Sequence, residues 1–144
     1  MPFQHVLVAT DFSECSKRAL DLGIELAQKF DAQLTVAHIW EVPTYSYGPG
    51  MYVPGDWLTP IEAAAQARLD ETVEDLKARF PNAKSLLRTG APWDEILAAA
   101  QSVHADLIVM GTHGRRGLNR ALIGSVAERV VRLSAVPVLT THSS

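Results

Sequence analysis

Five short apolar runs, each separated from the next by a longer stretch of other character, constrain this chain most. They are HVLVAT (His5–Thr10), QLTVAHIW (Gln33–Trp40), SLLRT (Ser85–Thr89), DLIVMGT (Asp106–Thr112) and VPVLTT (Val136–Thr141). The runs are near-continuous rather than alternating, as expected of strands covered on both faces. After the first, Ala19, Leu22, Leu26 and Phe30 recur at helical spacing, and Leu20, Ile24 and Ala27 widen the stripe. Thr59-Pro60-Ile61-Glu62 predicts the start of a second helix, with a Thr cap, Pro in the first position and Glu three residues after the cap. That helix is expected to run to about Phe80, where Pro81 stops it. Gly90-Ala91-Pro92 opens a third, with Asp94 and Glu95 favourable in its first turn. A fourth is predicted over Ser125–Ser134. Pro43–Leu58, PTYSYGPGMYVPGDWL, is rich in Pro, Gly and aromatics without a period, and reads as a surface loop.

The order β-α-β-α-β-α-β-α-β predicts an α/β fold: one doubly wound, Rossmann-like sheet of five mainly parallel strands with four helices. Neither an internal repeat nor a second domain is visible, so residues 1–144 are expected to form one domain. With 47% hydrophobic and 20% charged residues, a packed core is expected and disorder is not. A net charge of −3 argues against a protein that coats nucleic acid. Cys15 is the only cysteine, which excludes an internal disulfide and a two-cysteine metal site. The opening residues lack a basic and an apolar signal-peptide region, and no run is long enough to span a membrane. The expectation is a soluble cytoplasmic protein without a nucleic-acid or membrane partner.

Sheets of this kind bind ligands beyond the carboxyl ends of their strands. The ends to inspect are Thr10-Asp11, Ile39-Trp40 and Gly111 onward. There the sequence reads GTHGRRGLNRALIGSVAERV (Gly111–Val130). Gly111 and Gly114 remove side chains where backbone could approach a ligand or take positive φ. Ser125 and Glu128 have the spacing of a capping box at a helix start. A helix N-terminus suits phosphate, and Arg115 and Arg116 could add charge-assisted contacts. The spacing is neither a Walker loop nor G-x-G-x-x-G, so the stretch is a candidate anion site of another kind. The plainer reading is a turn, a cap and two solvated arginines. Asp11 at the same sheet edge weighs against it, although Asp11 could also cap the first helix.

Taken together, these residues resemble the universal stress protein family, of the ATP-binding kind. The family signature G-x2-G-x9-G-(S/T) appears as Gly111, Gly114, Gly124 and Ser125. HVLVATDFS, AHIW, GAPWDEIL, ADLIVMGTHG and VPVL resemble the family's first strand, second strand, third-helix opening, fourth strand with its turn, and last strand. The resemblance covers essentially the whole chain. It implies a Rossmann-like fold of the adenine nucleotide alpha hydrolase kind. It also implies ATP as the bound cofactor, with Mg²⁺ an optional companion held by phosphate and water. Asp11 with Thr10 would meet the adenosine, and Ile39 would contact adenine through its backbone. Gly111, Gly114, Gly124 and Ser125 would surround ribose and phosphates, with Thr112, His113, Arg115 and Val126 lining the same pocket. The family often has Pro-Thr-Asp where this chain has Ala9-Thr10-Asp11, which keeps the Asp. Arg116 and Asn119 fall in a variable part of the loop. The resemblance further implies a homodimer through the terminal strand Val136–Thr141, an edge in this topology.

Other candidates are weaker. His113 has no evident catalytic partner, and His5, His38, His104 and His142 lack metal-ligand spacing, so neither a catalytic residue nor a metal ligand is assigned. Cys15 lies in the first turn of helix one, where a thiol can be activated, but a passive role is favoured. Ser13 and Ser16 could meet phosphate, though capping explains Ser13. Tyr45, Tyr47, Tyr52 and Trp57 could form a lid or partner surface on an otherwise ordinary loop. The leading functional expectation is a nucleotide-binding, stress-response regulator. The alternatives are a slow ATPase or autophosphorylating enzyme, for which neither a Walker lysine nor a general base is present, and a nucleotide-free interaction module of the same fold.

Overall fold

The computed structural model describes residues 3–42, 55–113 and 123–142, with the side chains of residues 55 and 56 excepted. Nine elements alternate along them: β1 (His5–Ala9), α1 (Glu14–Phe30), β2 (Gln33–Trp40), α2 (Gly55–Leu76), β3 (Lys84–Thr89), α3 (Pro92–Ser102), β4 (Leu107–Gly111), α4 (Ser125–Leu133) and β5 (Val138–Thr141). The strands form one sheet in the order β3-β2-β1-β4-β5, with every pairing parallel. This is the doubly wound α/β sheet that the alternating runs predict.

Strand alternation divides the core in two. Val6 and Val8 of β1 point to the face covered by α1 and α2, where they meet Leu34, Val36, Leu69, Val73 and Val109. Leu7 and Ala9 point to the face covered by α3 and α4, among Ala37, Ile96, Ala99, Ile108 and Val130. All five residues of β1 are buried, which explains its unbroken apolar run. The strand order reverses between β1 and β4, and that is where such a sheet opens a crevice at its carboxyl edge.

Helix α1 is bounded at both ends by its own residues. Ser13 is the N-cap and accepts from the Ser16 N–H at 3.2 Å, and Asp31 closes the C-terminus in the left-handed region at φ 53°. Helix α2 departs from expectation. It begins at Gly55, so residues 55–58 are its first turn and not part of the loop, and Thr59 and Pro60 lie inside it. Proline there forfeits one hydrogen bond, to the carbonyl of residue 56, close enough to the helix start to be carried by the apolar packing of Leu69, Val73 and Leu76. The helix ends at Leu76, and Lys77 to Arg79 turn away rather than continuing to Phe80. Strand β5 begins two residues later than the apolar run suggests, because Ser134 Oγ donates to the Val136 carbonyl and accepts from its N–H, forming a turn first. The remainder of the candidate loop, with Tyr45, Tyr47 and Tyr52, lies outside the described residues.

Candidate functional site

At the carboxyl edge of the sheet, a cavity of about 420 Å³ opens between the ends of β1, β2 and β4 and the first turns of α3 and α4. Thr10, Asp11, Ile39, Gly111, Thr112, His113, Gly124, Ser125 and Val126 all line it. These are nine of the eleven residues singled out from sequence. The other two, Gly114 and Arg115, lie outside the described residues, as do Arg116 and Asn119.

The two described motif glycines are small for different neighbours. A Cβ on Gly111 would stand 2.7 Å from Cys15 Sγ and 3.1 Å from the Cys15 carbonyl carbon, so Gly111 lets the first turn of α1 close onto the end of β4. Its Cβ direction faces this helix, while its backbone lines the cavity. A Cβ on Gly124 would stand 2.8 Å from the Thr112 carbonyl oxygen, the same oxygen that accepts the Gly124 N–H at 2.7 Å. This contact returns the chain to the cavity at the start of α4.

The capping box expected from Ser125 and Glu128 is not formed. Gly124 is the N-cap of α4, Ser125 is the first helical residue, and no side chain among the described residues caps the helix. The Gly124–Thr112 contact fixes the chain one residue earlier than the Ser/Glu spacing suggests. Glu128 instead pairs with Arg132 at 2.9 Å on the exposed side. The N–H groups of Ser125, Val126 and Ala127 therefore have no intrahelical acceptor, and all three residues border the cavity. Helix α3 also starts without a side-chain cap, and its Pro92 lines the same space. The positive ends of two helices thus open onto one cavity, an arrangement that attracts an anion.

Several polar groups at the site are already committed. Thr112 is buried; its N–H and hydroxyl donate to the Thr141 carbonyl at 2.8 and 3.2 Å. Cys15 is buried, and its Sγ donates to that same carbonyl at 3.1 Å, a packing role for the thiol. The Thr10 hydroxyl pairs with Ser16 Oγ at 3.1 Å and accepts from the Phe12 N–H at 3.0 Å. Asp11 is not the cap of α1. One carboxylate oxygen accepts from the Ser13 N–H at 3.0 Å, and the other has no partner among the described residues.

His113 is different. It is 8% exposed, it lines the cavity, and neither ring nitrogen has a hydrogen-bond partner among the described residues. Buried polar atoms are nearly always paired, so an imidazole without a partner among the described residues, beside an open helix N-terminus, has both nitrogens available for a hydrogen bond from the cavity side. Sequence reasoning missed part of the wall. Ala37, Pro92, Ile96 and Met110 add apolar surface to that of Ile39. Pro92 and Ile96 carry a readable signal, being one turn apart at the start of a helix. Ala37 and Met110 look like ordinary strand residues.

Comparison with known proteins shows the family. The family model described as universal stress protein family matches residues 2–142. The chain belongs to the universal stress protein family. Universal stress protein YxiE of Bacillus subtilis is 33% identical, over 95% of this chain and 97% of the relative. A universal stress protein solved in complex with cAMP is 32% identical, covers all of both chains and superposes with a TM-score of 0.71. The universal stress protein of Archaeoglobus fulgidus in complex with dAMP is 25% identical over 98% of this chain and 99% of that one, with a TM-score of 0.68.

Proposed function

We propose that this universal stress protein binds an adenine nucleotide, with ATP as the ligand, and acts as a cytoplasmic homodimeric regulator through occupancy of that site. One observation carries the reading. An apolar slot, an acidic residue and two helix N-termini without a side-chain cap converge on one cavity that also holds a buried histidine with no partner among the described residues. Adenine fits between Ile39 and the apolar wall of Ile96 and Met110, with the Ile39 backbone as its polar contact. Asp11, through its unpaired oxygen, takes the ribose. The N-terminus of α4, with Gly124, Ser125 and Val126, takes the phosphates beside His113. By the family motif, Gly114 and Arg115 belong to the same phosphate end, and Mg²⁺ accompanies a triphosphate through phosphate oxygens and water. The cAMP and dAMP complexes of two relatives support an adenine ligand.

The test is to purify the protein without added nucleotide, denature it and separate the supernatant by ion exchange, alongside calorimetric titration with ATP. A stoichiometric ATP peak, lost in Gly124→Asp, is expected, because any Cβ at that position meets the Thr112 carbonyl. An AMP or cAMP peak would make a monophosphate the ligand. An empty supernatant together with no heat on titration would overturn the reading.

A further inference from the structure

The residue after Asp11 is held in a conformation that its own chemistry disfavours. Phe12 has φ 67°, in the left-handed region where glycine or asparagine is the usual occupant. Its N–H donates to Thr10 Oγ1, and the turn across it is closed by Ser13 N–H to the Asp11 carboxylate. The ring leaves the cavity side and packs on the α1/α2 face of the sheet. There it is gripped from two elements. The His38 ring lies 4.4 Å away, centroid to centroid, and the Arg68 guanidinium carbon of α2 sits 4.5 Å above the ring centroid. His38 also donates from Nδ1 to the Thr10 carbonyl at 2.8 Å, so the same histidine holds both the ring and the backbone before it.

We propose that Phe12 is a positioning residue of the site: clamped between His38 and Arg68, it fixes the turn that aims Asp11 into the cavity. The inference rests on the nucleotide reading above and adds a residue that touches no ligand. The turn needs a left-handed residue. Glycine would supply that conformation without steric cost but would leave the turn free to relax. Phenylalanine accepts the strain and adds a tether, and strain kept by surrounding contacts is a common feature of functional turns. Helix α2 has no described residue in the cavity wall, so the clamp is its connection to the site.

The experiment is a mutant cycle read by calorimetric ATP titration, with thermal unfolding of each protein in parallel. Phe12→Gly is expected to weaken ATP binding about tenfold, within the range for interacting neighbours, and to lower the unfolding midpoint, because the ring's packing is lost. Phe12→Tyr, which keeps the ring, is expected to bind as wild type does. In an Asp11→Ala background, Phe12→Gly is expected to change affinity less than about twofold, because its effect passes through Asp11. Arg68 is exposed, so Arg68→Met serves if Phe12→Gly does not fold. It is expected to weaken binding about two- to fivefold, and only when Asp11 is present. Wild-type affinity in Phe12→Gly, equal losses with and without Asp11, or failure of Phe12→Tyr to bind would overturn the positioning role. Absence of ATP binding by the wild type would overturn the nucleotide reading and this inference with it, and an unchanged Asp11→Ala would remove Asp11 as the contact.

Discussion

His113 is the residue whose surroundings make least sense without a ligand. An imidazole whose two ring nitrogens lack a partner among the described residues, 8% exposed, costs stability, since each buried polar atom forfeits its bonds with water. Replacing it by an apolar residue of similar size removes that cost. His113→Leu is therefore expected to leave the unliganded protein as stable as wild type, or more stable by about 1 kcal/mol, in urea unfolding. The same variant is expected to bind ATP several-fold more weakly in titration. Lower stability with unchanged binding would mean that the histidine serves the core. Sequence singled out His113 by its place between two glycines, but its burial and lack of partners follow from the fold. The opposite holds for Thr112. It has the same position in the motif, yet its hydroxyl is bound to Thr141, twenty-nine residues away.

At the scale of elements, the helix N-termini differ in a way that composition does not reveal. Helix α1 has a serine that caps, and α4 has a serine one position later that does not. Ser13→Ala is expected to lower stability by about 1 kcal/mol. Ser125→Ala is expected to leave it within about 0.5 kcal/mol, whereas a working capping box would make the two losses alike. Comparing the urea midpoints of both variants decides this. The Ser-x-x-Glu spacing was a fair signal for a helix start, and the helix does start there. Which residue is the cap was settled by the hydrogen bond from Gly124 to Thr112, a contact between segments that local spacing does not contain. Helix α2 is a similar case. Thr59-Pro60 has the chemistry of a first turn, but the helix begins four residues before Thr59, at Gly55.

At the scale of the whole molecule, the amino end of the sheet carries a pH-sensitive packing contact far from the cavity. His5 is buried, with Nε2 2.7 Å from Thr35 Oγ1, and burial lowers its pKa from the ordinary 6.5, partly opposed by Asp106. The unfolded chain thus binds the proton more readily than the folded one. Stability is full above about pH 6.5 and falls as the pH drops from there toward the lowered folded value. Urea unfolding between pH 7.5 and 5 is expected to show this loss, and His5→Gln to flatten the part of the slope that His5 supplies. Elsewhere, β5 is an edge strand; its Leu139 is exposed, as are Val131 and Leu133 of α4. Sedimentation is expected to give a dimer for the wild type and a monomer for Leu139→Lys, since a charge on an edge blocks pairing. A dimer in both would move the interface elsewhere.

The sequence by itself determined the number and order of strands and helices, the parallel doubly wound sheet and the edge at which its candidate residues gather. All of these follow from local hydrophobic patterning and from general rules of chain connection. It also marked Asp11, Gly124 and Ser125 through a motif. The tertiary structure decided what each motif residue does. Gly111 is small for Cys15, Gly124 for the Thr112 carbonyl, and Phe12 is bent against its preference by His38 and Arg68. The physical reason is the same each time: these are contacts between residues distant in sequence, fixed only when the strands have paired and the helices have closed over them.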